Sequence, residues 1–159
     1  MIVIRRNPVN RLAALIRKPG GISVAAAIQA AEDNLNSVRE QCLDVMDEKL
    51  REIAMIVSRC KENPAPKDLE NLYALGNGVL EVAGVFGMNP LSEAAFSLCD
   101  LLDRFKTLDR YSYPALMVHL QALQALRTAP DANGPETQAM LEGLHRVVDT
   151  ITRLESGRA

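Results

Sequence analysis

The residues of this chain with nucleophilic or metal-binding chemistry of their own are two histidines and three cysteines, and their settings argue against both uses. His119 stands four residues before Leu123 on an apolar helical stripe, with no Cys, Asp or Glu at ligand spacing, which is the pattern of a buried or seam imidazole. His145 lies at the border of another stripe, with Glu142 and Asp149 one turn to either side, and an exposed imidazole there could in principle accept a phosphoryl group. Cys42, Cys60 and Cys99 are far apart, form no C-x-x-C pair and sit among apolar residues, so reduced buried thiols in the cytoplasm are expected. No H-x-x-x-H pair, catalytic carboxylate pair in an apolar setting, Gly-x-Ser-x-Gly or phosphate-binding glycine loop occurs. The expectation is a protein that is not an enzyme, with no metal and no cofactor.

The elements that position these residues are legible from punctuation and periodicity. With 159 residues, 48% of them hydrophobic, the chain suffices for one core. Aromatics make up only 4%, with no Trp, so the core is built of helix-favouring aliphatics and the class is all-α. Six methionines, scattered over several helices, read as gap fillers. Breaks fall at Pro8, Pro19-Gly-Gly21, Asn63 to Lys67, Asn89-Pro90, Ser112 to Pro114 and Pro130 to Pro135. Ser23 is a candidate N-cap for a first helix close to 40 residues long, about 55–60 Å at 1.5 Å per residue. Its apolar stripe runs through Ile28, Ala31, Leu35, Val38, Cys42 and Val45, then shifts by one position to Met46, Leu50, Ile53, Val57 and Cys60, as at a coiled-coil stutter.

A second helix from about Pro66 to Gly87 buries Leu69, Leu72, Gly76, Val79, Ala83 and Phe86. A third, opened by Pro90, uses Leu91, Ala94, Ala95, Leu98, Leu101, Leu102 and Phe105. A fourth presents Leu116, His119, Leu120, Leu123 and Leu126, and a fifth Met140, Leu141, Leu144, Val147, Val148, Ile151 and Leu154. Short connections favour an antiparallel up-down bundle. The first helix outruns its partners, so its first half must project, pack on another subunit or be covered by the N-terminal arm. The domain reading is a basic amphipathic arm over 1–21 and a single bundle over 22–159.

The second helix carries the most informative residues. Leu75-Gly-Asn-Gly-Val-Leu-Glu-Val-Ala-Gly-Val-Phe-Gly-Met-Asn-Pro-Leu91 resembles the central helix of histidine-phosphotransfer domains, in which His-x-x-Lys-Gly is closed about two turns on by a glycine and an apolar residue. Anchored on Gly87-Met88, the resemblance puts Asn77 in place of the histidine, Leu80 in place of the lysine and Glu81 in place of the adjoining glycine. It covers the hairpin from Leu69 to Phe105; the flanking helices match in number and order only. It implies an antiparallel four-helix bundle of the phosphotransfer type with an extra C-terminal helix, and a degenerate member of that family. More loosely, the chain is similar to small bacterial chemotaxis-associated proteins of the CheE type. Nothing like His-x-x-Lys-Gly surrounds His145.

An amide nitrogen whose lone pair is delocalised into the carbonyl is neither a base nor a phosphoryl carrier, and Glu81 would repel a phosphate. On the wheel Ala74, Asn77, Gly78, Glu81 and Gly84 share the outward side, and small residues leave room beside Asn77 and Glu81. Gly76 and Gly84 suit tight helix crossing as well, since each mid-helix glycine costs about 1 kcal/mol against alanine. The expected function is a non-catalytic protein-binding module in bacterial two-component or chemotaxis signalling, docking a response-regulator receiver domain or a sensor-kinase element. The alternative is a structural helical dimerisation protein, a homodimer through the long first helix, with no part in a phosphorelay.

Charge adds one asymmetry. Arg5, Arg6, Arg11, Arg17 and Lys18 give the arm +5, so that the remainder carries −7 within a formal total of −2. With Val9, Leu12, Ala13, Leu15 and Ile16 the arm is amphipathic and suited to an acidic surface, a membrane face or its own body. One short basic arm without an aromatic platform does not support nucleic-acid binding. No apolar run approaches a membrane span and no signal-peptide core is present, so a soluble, cytoplasmic protein without stable membrane insertion is expected.

Overall fold

The computed structural model describes residues 20–62, 64–108, 111–128 and 134–156, with the side chains of 107–108 and 154–156 left aside. The N-terminal arm up to Pro19 and the side chain of Leu154 lie outside the described residues. Five helices and no strand occur among the described residues: α1 Val24–Arg59, α2 Pro66–Val85, α3 Asn89–Leu108, α4 Tyr113–Thr128 and α5 Pro135–Ser156. None of them is long and apolar enough to cross a membrane. The chain divides into two compact units, one ending at Val38 and one beginning at Arg39. In the first, every described residue is exposed.

Local chemistry sets the helix ends. The Ser23 hydroxyl accepts the Ala26 amide at 3.1 Å, satisfying one of the donors that a helix start leaves unpaired. Pro66 opens α2, and Asp68 in its first turn is paired with Arg59 at 2.8 Å. At the other end Gly87 has φ +69°, which a glycine adopts without cost. The Met88 amide donates to Ala83 O at 2.8 Å and the Gly87 amide to Gly84 O at 3.3 Å. This pair of bonds is a Schellman cap, and Met88 packs on the core beneath it. The Ser112 hydroxyl accepts the Ala115 amide at 3.4 Å at the start of α4.

The core of the second unit follows the expected stripes. Met46, Leu50, Ile53 and Val57 of α1 and Cys60 just beyond its end are buried, with Ile56 added. Leu72, Gly76, Val79 and Ala83 of α2 are buried, while Leu69 and Phe86 remain half-buried. All seven expected positions of α3 are buried, as are all five of α4. In α5 Leu141, Leu144 and Val148 are buried and Met140, Val147 and Ile151 pack around them. Arg127 of α4 grips Asp47 of α1 with both carboxylate oxygens, at 2.7 and 3.0 Å. Tyr111 donates its hydroxyl to Cys60 O and packs edge-on against Phe105 at 5.2 Å. Burial pushes that phenol up to about 12.

One polar pair lies inside the core. Ser97 and His119 are 2% and 0% exposed. A carbonyl can only accept, so His119 Nδ1 carries the proton and donates to Ala115 O at 2.8 Å; Nε2 then accepts from the Ser97 hydroxyl at 3.0 Å. Burial lowers the His119 pKa, opposed by the Ala115 bond and aided slightly by His145. A histidine whose folded pKa is depressed stabilises the fold above its unfolded value near 6.5 and loses that contribution as pH falls through the folded value. Urea unfolding should therefore give a lower stability at pH 5.5 than at pH 7.5, at most about 1.4 kcal/mol per pH unit from this group. In His119→Gln the drop should shrink, and an unchanged pH slope in that variant would contradict the assignment.

Candidate protein-binding site

The face built by α2 has to be judged against the helix behind it. Contacts between α2 and α3 climb away from the Gly87 turn on both helices, from Gly84 against Ser92 to Gly76 against Cys99. Of the five expected site residues, Ala74, Glu81 and Gly84 are exposed and Asn77 and Gly78 are half-buried. Asn77 is anchored. Its Oδ1 accepts from the Cys99 thiol at 3.5 Å, and the same sulfur lies 3.9 Å from Tyr73 O. Burial, with Asp103 adding to it, pushes the Cys99 thiol up to about 11, so it stays a neutral donor at neutral pH. The amide of Asn77 retains two N–H donors for a ligand.

Lys49, which sequence reasoning did not connect with this face, lies across Gly78. A Cβ built on Gly78 would fall 2.9 Å from Lys49 Cε and Nζ and 3.0 Å from Cδ. The backbone there is not open, as the wheel suggested, but covered by a flexible cationic side chain from α1. Leu80 packs against the core. Two further cations border α2: the Arg39 guanidinium sits 5.1 Å over the Phe86 ring, and Lys106 Nζ 4.8 Å over the Tyr73 ring. Each such contact is worth about 0.5–1 kcal/mol at an exposed site. Exposed Glu81 thus lies on a helix flanked by positive charge.

The histidines are placed elsewhere. His119 has both ring nitrogens engaged inside the core and is closed to any phosphoryl donor. His145 is exposed and lies 3.5 Å from Glu93. It lines a shallow cavity of about 240 Å³ with Pro90, Glu93, Thr137, Leu141 and Glu142. Two carboxylates beside it oppose an incoming phosphate. Among the described residues no cluster of three or more His, Cys, Asp or Glu could hold a metal ion.

Comparison with family models, with curated proteins and with solved structures gives no match.

The glycines of α2 divide by environment. A Cβ at Gly76 would lie 3.1 Å from Cys99 Sγ and 3.6 Å from Leu98 Cδ2, whereas at Gly84 it would meet only Ser92 Oγ at 3.8 Å. Gly84→Ala should stabilise the protein by about 0.5–1 kcal/mol through helix propensity. Gly76→Ala should fall short of that gain, because Cys99 has to give way. Combining it with Cys99→Ala should restore the difference as a favourable coupling in a double-mutant cycle, and strict additivity would refute the packing account.

Proposed function

We propose that the chain is a non-catalytic binding module of bacterial two-component or chemotaxis signalling, an antiparallel, phosphotransfer-like four-helix bundle with an extra C-terminal helix. It would act in the cytoplasm, docking a receiver domain or a sensor-kinase element through the α2 face and competing with, or scaffolding, true phosphotransfer partners. The observation that carries this reading is the fixed setting of Asn77. By the phosphotransfer resemblance it takes the nucleophile's place; Cys99 bonds it from behind, Lys49 lies across the neighbouring Gly78, and Glu81 and Gly84 are exposed farther along the helix. A side chain without a nucleophilic lone pair cannot carry a phosphoryl group, but a tethered amide beside a cation can recognise an acidic, hydrogen-bonding surface. Complementary charge of this kind speeds encounter and fixes register.

Calorimetric titration of the full chain against receiver domains and kinase phosphotransfer regions of the same genome tests the proposal. At least one should bind. Gly84→Leu and Glu81→Lys should each weaken that binding by about tenfold or more, the scale of an interface anchor, without lowering the thermal transition. Absence of binding to every such domain would overturn the reading.

A further inference from the structure

The first half of α1 displays an exposed apolar stripe. Val24, Ile28, Leu35 and Val38 are 77%, 55%, 46% and 42% exposed, Ala31 is exposed, and the stripe continues to half-buried Cys42 and to Val45, 42% exposed. At Met46, 0% exposed, the buried stripe of the second unit begins. The exposed positions alternate strictly between steps of three and four residues over about three heptads. That period belongs to a helix wound against one other helix rather than to the broader stripe of a globular surface. With Ile28, Leu35 and Cys42 at a and Val24, Ala31, Val38 and Val45 at d, the e positions hold Ala25, Glu32 and Arg39, and the g positions Ala27, Asn34 and Gln41.

We propose that this stripe is the interface of a homodimer in which the α1 helices of two copies pair antiparallel about a two-fold axis between Leu35 and Val38. The inference is independent of the docking role of α2. Charge selects the orientation and the register. In a parallel pair g faces e, which sets Ala27 against the partner's Glu32 and Asn34 against the partner's Arg39, with no ion pair. In an antiparallel pair e faces e. When Leu35 layers on the partner's Val38, Glu32 meets the partner's Arg39, which exchanges its weak contact over Phe86 for the ion pair, and the reverse pair follows by symmetry. A slip of one heptad to either side sets Glu32 against the partner's Glu32 or Arg39 against the partner's Arg39, like charges at close range. The chosen register also layers Ile28 on the partner's Val45 and small Ala31 on the partner's small Cys42. The interface is isologous and therefore closes at two copies.

Native Cys42 supplies the test. In the antiparallel register Cys42 faces Ala31, so the wild-type chain should not form an interchain disulfide under mild oxidation, while Ala31→Cys should be trapped as a covalent dimer. Cys60 and Cys99 are buried and do not compete. Sedimentation of the full chain should give a dimer mass that falls to the monomer in Leu35→Asp, with the thermal transition of the remaining core retained. Glu32→Lys should weaken the dimer several-fold, and the double variant E32K/R39E should recover most of the loss. A wild-type Cys42 disulfide would signify parallel helices and overturn the register. A monomer at all concentrations, unaltered in mass by Leu35→Asp, would mean that the stripe is covered by the chain's own first nineteen residues or by nothing, and would overturn the dimer.

Discussion

Helix α3 packs against α2, α4 and α5, and a helix covered on so many sides constrains everything around it. Among its described side chains Asn89, Glu93, Phe96, Asp103 and Lys106 are exposed, and the others from Leu91 to Phe105 are buried or half-buried. Polar groups in such a place stabilise the fold only if they are paired. Ser97 finds His119 on α4, and Cys99 finds Asn77 and the Tyr73 carbonyl on α2. The two pairs point in different directions from one helix, so they set the rotation of both neighbours about it. Ala94, Ala95 and Gly76 remove side-chain bulk at the crossings, and close approach makes the aliphatic contacts dense. The position of Asn77 is therefore a consequence of core packing rather than of surface chemistry.

The Gly87-Met88 pair has a structural cause sufficient in itself. Gly87 takes the left-handed conformation and Met88 returns its amide to Ala83 while its side chain packs on the core. Any helical hairpin with a tight turn gains from that arrangement, so the pair marks where α2 must stop and α3 begin. What distinguishes this hairpin is the content of the helix upstream: Gly76 to admit α3, Asn77 to meet Cys99, and Gly78 to admit Lys49.

Most of the fold was legible because its signals are local. Ser23, Pro66, Pro90, Pro114 and Pro135 mark helix starts through capping or a preset φ, and every position that three-and-four spacing selects in α3 and α4 is buried, although Ser97, Cys99, Ala115 and Ala122 are buried beside them. The change of face between Val45 and Met46 was also visible as a shift of one position in the stripe, and burial changes sharply at that point. The site was less legible because its determinants are far apart in sequence. Lys49 and Gly78 belong to different helices, and nothing in the neighbourhood of either residue indicates that they meet. The wheel could place Gly78 outward but could not say what lay over it. Cys99 likewise reads as one more apolar position until α2 is packed beside it, when its thiol becomes the donor that holds Asn77.

Docking and phosphoryl transfer make different demands on the same helix. Transfer needs a nucleophile that can move in line with a phosphoaspartate and a cation that follows the charge, so the reactive side chain must be free on the surface. Docking needs groups whose positions are settled before the partner arrives, since ordering them on association costs free energy. Asn77, fixed through Cys99 to a buried helix, meets the second demand and fails the first. Lys49 brings a positive charge to this neighbourhood, but it arrives across Gly78 on a flexible stem from α1. A cation so placed attracts an acidic surface without being aligned to a reacting centre. On the proposed docking reading, the amide bonded from behind, the cation on its flexible stem and the exposed carboxylate at Glu81 would offer a partner face a donor and both signs of charge along one helix.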